Sequence, residues 1–329
     1  MDRALVVGGT RFIGRHLVEE LLEADYAVTL FNRGDHENPF AGDDRVDHVA
    51  GDRTDEATVE RVGETLDPEV VFDVVAYHPK AVAHATRVFG DVEAYVYVSS
   101  GAAYAAEAIP KREDETPIRN CTPRQAVDDG PETYGNRKAE GDREVRRAAD
   151  RGVRAMAVRP PIVYGPYDYT ERLDYWLDRI ARHDRIVVPG DGTNVWQRAY
   201  VEDVARGLRI VAERGTAGEW YNVGDRNAVT IDRMIELIAD AMDERVEVVH
   251  ASDRELSVAD LESTAFPLYR RHPHLLDTAK LASLGWDSTP VETAMEQTAA
   301  EHLDSDRNGR HNGPPRATEE RLLEVLGTV

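Results

Sequence analysis

Short apolar runs alternate with segments of helical spacing over the first hundred residues. The runs are Ala4–Val7, Ala27–Phe31, Val46–Val49, Val70–Val75 and Tyr95–Val98. Between the first two, apolar side chains recur three and four positions apart, which is the spacing of a helix that buries one face. Apolar strands that are separated by helices indicate a parallel sheet covered on both sides. The pattern therefore predicts an α/β fold with a doubly wound parallel sheet.

The pattern changes after the fifth run. Residues 105–131 are rich in proline and charge and lack periodicity, so they predict either a lid or binding element or a solvated insertion. Residues 132–149 then predict a helix, and Ala155–Val158 predict a sixth strand. Near the end, residues 304–316 predict a flexible linker and Thr318–Leu326 a helix that docks through an apolar stripe.

The net charge excludes several classes of partner. The 329 residues include 62 acidic and 40 basic side chains, which gives a formal net charge of −22. Binding of DNA, RNA or a large anionic membrane surface needs a basic face, so we expect no nucleic acid and no membrane as a partner. Only four of the 40 basic residues are lysines, and the rest are arginines. An acidic, lysine-poor chain is typical of halophilic proteins, although a merely acidic cytoplasmic protein is the alternative.

Few other features bear on redox chemistry, metals or targeting. The single cysteine, Cys121, excludes a disulfide framework and a cysteine zinc cluster. The 11 histidines show no helical metal-binding spacing, so we expect no metal site. No apolar run approaches the roughly 18 residues of a membrane span, and the first run is too short for a signal peptide. We therefore expect a cytoplasmic protein.

A glycine-rich turn follows the first strand. The segment Gly8-Gly9-Thr10-Arg11-Phe12-Ile13-Gly14 leads from that strand directly into the first helix. The first glycine permits a tight turn and the last lets the helix pack closely, so free amides at the helix N-terminus face a pyrophosphate. At the first β–α junction, this arrangement predicts a Rossmann-like dinucleotide site.

Three positions bear on the choice of cofactor. Arg11 stands where such turns carry a middle glycine, and its guanidinium can reach a phosphate on the adenosine ribose. After the second strand the chain has Asn32 and Arg33 instead of the acidic residue that holds the ribose hydroxyls of NAD. We therefore predict NADP(H) in preference to NAD(H). Asp52, after the third strand, is placed either to meet the adenine edge or to cap the following helix.

Tyr134 and Lys138 lie four residues apart in a predicted helix and therefore share a face. The helix comes after the fifth strand, whose end continues through Ser99 and Ser100. Ligands of parallel sheets bind at the carboxyl ends of the strands. Ser100 and the Tyr–Lys pair are therefore expected to meet over a nicotinamide ring.

With these motifs the chain resembles an extended short-chain dehydrogenase/reductase of the NAD-dependent epimerase/dehydratase family over nearly its whole length. The turn at residues 8–14 resembles an atypical subgroup that includes chloroplast stem-loop RNA-binding proteins. Further motifs occur in the family's order, and they are Arg159–Pro166, Gly190-Asp191-Gly192, Tyr200–Ala205, Tyr221–Gly224 and Asp277 with Lys280 and Leu284-Gly285-Trp286.

The resemblance implies roles and an organisation. Tyr134 would be the general acid/base, Lys138 would lower its pKa and hold the nicotinamide ribose, and Ser100 would bond the reacting oxygen. A homodimer is implied as well. Residues 1–165 with about 194–225 would form the Rossmann domain, and 166–193 with 226–329 a smaller C-terminal substrate domain. The expected cofactor-binding residues are Gly8, Thr10, Arg11, Phe12, Ile13, Gly14, Asn32, Arg33, Asp52, Arg53, Ala76, Tyr77, Ser99, Tyr134, Lys138, Pro161 and Ile162, and the expected substrate-binding residues are Ser100, Tyr134 and Arg198.

Departures from the family's pattern bear on the reaction. Residues 74–95 lack the asparagine that supports the family's proton relay. No acidic residue follows Ser100, which disfavours the 4,6-dehydration of a sugar. Nucleotide-sugar enzymes have asparagine in place of Ile162 and arginine in place of Trp196, although Arg198 could substitute for the second.

The sequence thus predicts an NADP(H)-dependent oxidoreductase or epimerase that transfers hydride at a hydroxyl or keto carbon of a small-molecule substrate, a sugar or nucleotide-sugar. Two alternatives stay open. One is a simple NADPH ketoreductase, and the other is a non-catalytic nucleotide- or RNA-binding protein. An intact set of Ser100, Tyr134 and Lys138 argues against the non-catalytic class, as does the charge of −22.

The charge composition predicts a response to salt. If the chain is adapted to concentrated salt, raising KCl from low to molar concentration screens its self-repulsion and raises the melting temperature. Thermal melts followed by circular dichroism measure this response. A melting temperature that stays constant or falls contradicts the adaptation to salt and favours an ordinary acidic protein.

Overall fold

The computed structural model describes residues 1–327. By its internal packing the chain forms two compact units. The first consists of Met1–Val163, Val201–Gly224 and Leu276–Ser288. The second consists of residues 164–200, residues 225–275 and the described residues from Thr289 onward.

The described residues contain eleven strands. They are β1 (Arg3–Val7), β2 (Ala27–Asn32), β3 (Val46–Ala50), β4 (Val70–Asp73), β5 (Ala94–Val98), β6 (Ala155–Arg159), β7 (Ile162–Tyr164), β8 (Arg185–Pro189), β9 (Arg198–Tyr200), β10 (Trp220–Asn222) and β11 (Glu247–Ala251). Seven of them form one parallel sheet in the first unit, in the order β10-β6-β5-β4-β1-β2-β3. This order extends outward from β1 in both directions, which confirms the predicted doubly wound α/β fold.

The same part of the chain contains twelve α-helices. They are α1 (Phe12–Glu23), α2 (Glu56–Thr65), α3 (Pro79–Val88), α4 (Pro123–Ala126), α5 (Tyr134–Asp150), α6 (Asp174–Arg182), α7 (Val201–Arg214), α8 (Ile231–Ala241), α9 (Asp253–Leu256), α10 (Ala279–Ala282), α11 (Val291–Leu303) and α12 (Arg316–Leu326). In the first unit α1 packs on α7, while α3 packs between α2 and α5. Between residues 1 and 327, no helix combines the length and apolar character needed to cross a bilayer.

The middle of segment 105–131 is folded into the first unit. Lys111, Glu113 and Thr116 are buried there. The Glu113 carboxylate accepts the backbone N–H of Asn222 at 2.8 Å, and its carbonyl accepts the indole N–H of Trp220 at 2.9 Å. These bonds fix the middle of the segment beside β10, so a solvated insertion does not describe it, whereas a role as a lid or binding element stays a prediction.

Apart from a shift of two residues at 164–165, the two units differ from the predicted domain boundaries at two places. Residues 194–200 pack in the second unit, whereas Leu276–Ser288 pack in the first. The second difference has a clear cause, because the indole N–H of buried Trp286 donates to the Asp203 carbonyl in α7 at 2.9 Å.

The second unit contains the parallel pair β8 and β11, with α8 packed on α6 and α11. The prediction of a flexible linker at residues 304–316 is wrong. Arg307 pairs with Asp174 at 3.1 Å, and Arg310 pairs with Asp178 at 2.9 Å, so the stretch is fastened to α6. Arg307 and Arg310 are thus ion-pair partners of that helix.

The C-terminal helix α12 docks in the second unit as predicted, and it does so around one buried carboxylate. Glu319 is 1% exposed and accepts bonds from Arg179 Nε and from the Val187 backbone N–H, both at 2.9 Å. Replacing it (Glu319→Ala) removes the closest anion from a buried arginine, so we expect a loss of about 3–5 kcal/mol in the free energy of unfolding. Urea unfolding followed by tryptophan fluorescence measures the loss.

The neighbouring residue offers a matched control. Glu320 pairs with Arg316 at 3.1 Å, but its side chain is 55% exposed. An exposed pair contributes little, so Glu320→Ala should change the free energy of unfolding by less than about 0.5 kcal/mol. Equal losses in the two variants would show that Glu319 does not hold the helix.

Candidate active site

Glycines shape the turn between β1 and α1. Gly8 and Gly9 have φ values of +116° and +95°, which residues other than glycine rarely adopt. A Cβ at Gly14 would lie 2.6 Å from the backbone nitrogen of Gly9. The start of α1 thus packs directly on the turn, and these residues fit the close backbone approach that a dinucleotide pyrophosphate needs. Sequence reasoning left Gly9 out of this set.

The other predicted residues of this turn lie at the start of α1. Thr10 and Arg11 precede the helix, and Phe12 and Ile13 begin it. Phe12 is buried with a φ of +40°. Arg11 Nη1 lies 3.1 Å from His36 Nε2, so the guanidinium reaches the loop that follows β2.

The side chain of Asn32, at the end of β2, is hydrogen-bonded within the protein, and its contact with a cofactor stays a prediction. Its side-chain amide donates to the Gly8 carbonyl at 3.0 Å, and its side-chain oxygen accepts the Gly34 N–H at 2.8 Å. Asn32 therefore braces the glycine turn. Arg33 pairs with Asp35 at 2.9 Å, and both side chains are more than half exposed.

Beyond β3, Asp52 closes a turn with Thr54, and the predicted alternative of a helix cap is wrong because Asp55 is the N-cap of α2. One oxygen of Asp52 accepts the N–H of Thr54 at 2.8 Å and its hydroxyl at 2.7 Å, and these bonds hold the pKa of Asp52 below its usual value. A role at the adenine edge stays a prediction. The adjacent Arg53 forms an ion pair with Asp73, a fully buried residue at the end of β4 that also accepts the Tyr95 hydroxyl at 2.8 Å.

Lys138 is held at the ends of two central strands. Its amine donates to the carbonyls of Ala76 at 2.9 Å and Val98 at 2.8 Å, and only 2% of the residue is exposed. The same amine lies 5.7 Å from the ring centroid of Tyr134. Burial lowers the pKa of Lys138 to about 7, although nearby carboxylates oppose the fall. The structure thus brings together the Tyr–Lys pair that the spacing predicts.

Ser100 begins the short turn after β5. Its hydroxyl oxygen accepts the Ala102 N–H at 3.2 Å, and a hydroxyl in this role still has a proton to donate. Gly135 lets the turn approach α5, because a Cβ there would lie 2.3 Å from the Ala102 carbonyl oxygen. The Ser100 turn therefore lies against the first turn of α5, which begins with Tyr134.

A cavity of about 600 Å³ opens beside Tyr134 in the first unit. One wall holds His78, whose Nδ1 lies 3.1 Å from the Ala126 carbonyl and whose Nε2 lies 2.9 Å from an Asp129 oxygen. The lining consists of Arg53, Thr54, Val75, Tyr77, His78, Ala81, Asp129, Pro131, Tyr134 and Arg137.

Sequence analysis gave no individual role to four charged residues of this region, namely Asp73, Arg137, Asp142 and Arg159, and all four are buried. Two of them left a signal. Asp73 interrupts an apolar run, and Asp142 continues the four-residue spacing of Tyr134 and Lys138. The partner of Asp142 is Arg159, which donates from Nε at 2.9 Å, and no local pattern announces that pairing.

The remaining predicted residues lie after β5, after β6 and in β9. Ser99 is buried after β5, and Pro161 and Ile162 follow β6. Arg198 lies in β9 of the second unit, where burial lowers its pKa and Nη2 donates to the Val229 carbonyl at 3.4 Å. Its contact with substrate stays a prediction. Residues 1–327 contain no group of three or more potential metal ligands.

A parallel Rossmann-like sheet with a glycine turn at β1 and a Tyr–Lys pair on α5 defines an extended short-chain dehydrogenase/reductase. The sequence profile of the NAD dependent epimerase/dehydratase family matches this chain over residues 4–89 and 78–224. The chain belongs to this family.

Individual proteins are also similar to this chain in sequence. The chain is 27% identical over 300 residues to the chloroplast stem-loop binding protein of 41 kDa b from Arabidopsis thaliana, which covers 86% of this chain and 74% of that protein. It is 23% identical over 324 residues to a trifunctional UDP-glucose 4,6-dehydratase/UDP-4-keto-6-deoxy-D-glucose 3,5-epimerase/UDP-4-keto-L-rhamnose-reductase of the same plant. That match covers 89% of this chain but 46% of the plant protein, so the chain spans about half of its length.

Among solved structures, the UDP-glucose 4-epimerase of Thermotoga maritima, determined with UDP-glucose, superposes with a TM-score of 0.72 at 21% identity. The superposition covers 92% of this chain and 99% of the epimerase. At this identity the likeness shows a shared fold.

Proposed function

We propose that this protein is an NADP(H)-dependent oxidoreductase or epimerase that transfers hydride at a hydroxyl or keto carbon of a sugar or nucleotide-sugar. The observation that carries the proposal is the buried Lys138 amine, fixed by two backbone carbonyls and lying 5.7 Å from the Tyr134 ring. The family's dependence on NAD supports a nicotinamide cofactor. The relative solved with UDP-glucose supports a nucleotide-sugar as substrate.

The residues divide the chemistry among themselves. When bound, the nicotinamide takes or gives the hydride. Tyr134 removes the hydroxyl proton as the substrate carbon is oxidised and returns it on reduction. The charged Lys138 amine favours the ionised form of the phenol, and the Ser100 hydroxyl donates to the reacting oxygen. Gly8, Gly9 and Gly14 would hold the pyrophosphate at the start of α1.

The surroundings of Ser100 favour some reactions of the family over others. Gly101 and Ala102 follow it, so no carboxyl group stands next to the hydroxyl to assist elimination of water. This arrangement supports epimerisation or simple reduction rather than dehydration. A ketoreductase without a nucleotide on its substrate is the second candidate.

Several further parts of the proposal concern the rest of the chain. We infer that the second unit supplies the substrate domain and that Arg198 meets the anionic part of the substrate. We also infer a homodimer and a salt-adapted protein of the cytoplasm. The acidic composition supports the salt adaptation, and family resemblance supports the dimer.

Replacement of the phenol hydroxyl tests the catalytic proposal. In Tyr134→Phe we expect turnover to fall by about 10²–10⁴-fold, because the proton has no acceptor, while cofactor binding changes little. Turnover is measured with UDP-glucose as the probe substrate and cofactor binding by calorimetry.

A second tyrosine of the first unit gives the control. Tyr26 donates to Glu213 at 3.4 Å and does not line the cavity, so Tyr26→Phe should keep full turnover. If turnover survives in Tyr134→Phe, the proposed acid/base is refuted. If the wild-type protein binds cofactor but fails to turn over a panel of nucleotide-sugars and ketones, the non-catalytic alternative is favoured.

The preference for NADP(H) rests on Arg11 and Arg33. The Arg33–Asp35 pair is exposed and therefore weak, so Arg33 can exchange its carboxylate partner for a 2′-phosphate. Calorimetry should show tighter binding of NADP⁺ than of NAD⁺. In Arg33→Ala, NADP⁺ should bind about tenfold more weakly with NAD⁺ unchanged, since one charge-assisted contact is lost. Equal or tighter binding of NAD⁺ by the wild-type protein would overturn the preference.

A further inference from the structure

Three polar side chains lie along one face of α5. Tyr134, Lys138 and Asp142 are spaced four residues apart, so they follow one another down the helix. Lys138 is 2% exposed and Asp142 is completely buried. The face of the helix that packs inward therefore carries a cation and an anion where apolar side chains would be cheaper to bury.

Asp142 is fastened to the sheet. Arg159, the last residue of β6, approaches one oxygen of Asp142 with Nε at 2.9 Å and Nη2 at 2.7 Å. The guanidinium is buried between the rings of Tyr104 and Trp220, with centroids at 4.7 Å and 4.5 Å. Burial raises the pKa of Asp142, while Arg159 and the hydroxyl of Ser99 oppose that rise.

Charged groups from three elements act electrostatically on the Lys138 amine. Asp73, at the end of β4, and Asp142, in the helix itself, stabilise its charged form. Two arginines destabilise the charged form, namely Arg53, which follows β3, and Arg137, which precedes Lys138 in α5. The two carboxylates thus oppose both desolvation and two guanidinium groups. The rings around the amine are those of Tyr77, Tyr97 and Tyr134, with centroids at 5.2, 4.8 and 5.7 Å.

We propose that Asp142 is a positioning residue for the Tyr134–Lys138 pair: its buried carboxylate, anchored on Arg159, keeps the neighbouring amine charged beneath Tyr134. Only the effect on turnover rests on the proposed function, because the electrostatic effect concerns the amine itself. Without the carboxylate, the charged amine is harder to keep in the interior, so Lys138 loses its proton at lower pH. Tyr134, deprived of a cation, then ionises at higher pH.

The chain has only four lysines, and this makes the effect directly measurable. In protein labelled with ¹³C at the lysine ε-carbon, an NMR titration follows each amine, and the spectrum of Lys138→Met assigns the signal of interest. In Asp142→Asn we expect the midpoint of Lys138 to fall by about one pH unit, the size of shift that a nearby charge produces. Asp142→Glu should restore it. An unchanged midpoint in folded Asp142→Asn overturns the proposal.

Another buried carboxylate supplies the matched control. Glu113 lies in the same unit, but it bonds the backbone of Asn222 instead of facing the amine. Glu113→Gln should lower the melting temperature and leave the Lys138 midpoint in place. An equal fall in both variants would show that any lost buried charge has this effect, and the specific role of Asp142 would be refuted.

The single variant leaves Arg159 without its anion and could fail to fold. The double variant Asp142→Leu/Arg159→Met removes both charges together, a change that buried ion pairs tolerate far better. The Lys138 midpoint must fall in the double variant too, and a constant midpoint there overturns the proposal.

Turnover separates this inference from the proposed function. If the protein is an enzyme of the proposed kind, Asp142→Asn should narrow the pH range of kcat from both sides. A midpoint that falls in a protein without any turnover refutes the proposed function and supports the electrostatic role of Asp142. A normal pH range of kcat together with an unchanged midpoint refutes the role of Asp142 alone.

Discussion

The amine of Lys138 is buried, and backbone carbonyls accept the hydrogen bonds that water would otherwise accept. Backbone carbonyls need hydrogen-bond partners when they are buried. The carbonyls of Ala76, after β4, and Val98, at the end of β5, accept hydrogen bonds from the amine. For the amine to reach them, α5 must lie very close to the sheet. Two glycines of α5 permit this approach. A Cβ at Gly135 would collide with the Ala102 carbonyl, and one at Gly141 would lie 2.6 Å from the Tyr97 hydroxyl. The position of Tyr134 follows from the same contacts, because it stands one helical turn before the lysine.

Charge is arranged differently inside the protein and on its surface. The chain carries a net charge of −22, yet buried Arg159 and Arg179 each face a buried carboxylate. A planar guanidinium suits such pairs because it binds a carboxylate with more than one nitrogen and never loses its charge. The site beneath Tyr134 has a different requirement. A compact amine fits between two carbonyls and responds to its surroundings, which explains a lysine at this position in a chain with only four lysines among its 40 basic residues.

Local patterns predicted the strands, the glycine turn and the shared face of Tyr134 and Lys138, because each depends on neighbours within a few residues. The doubly wound sheet followed from the alternation of apolar strands and helices, which permits few other arrangements. Long-range pairings could not be predicted in that way. The stretch at 304–316 reads as a solvated linker, since nothing in it shows that Asp174 and Asp178 are its partners more than 130 positions earlier in the chain. The bond from the Asn32 amide to the Gly8 carbonyl was likewise not predictable, since the two residues are 24 positions apart. Asp142 illustrates an intermediate case, because its spacing was visible but its partner in β6 was not.

The energetics of the buried lysine also bear on whether the family's fold here serves catalysis or binding alone. Glycine turns and free amides at α1 are sufficient to hold a dinucleotide, and a protein that only binds has no need of a cation under a tyrosine. Burying an amine whose pKa falls to about 7 is unfavourable, and this chain accepts the cost together with two buried carboxylates that reduce it. A non-catalytic relative could replace Lys138 by an apolar side chain and become more stable. The buried lysine, its carboxylates and the Ser100 turn packed beside them therefore support the proposed role of Tyr134 in proton transfer.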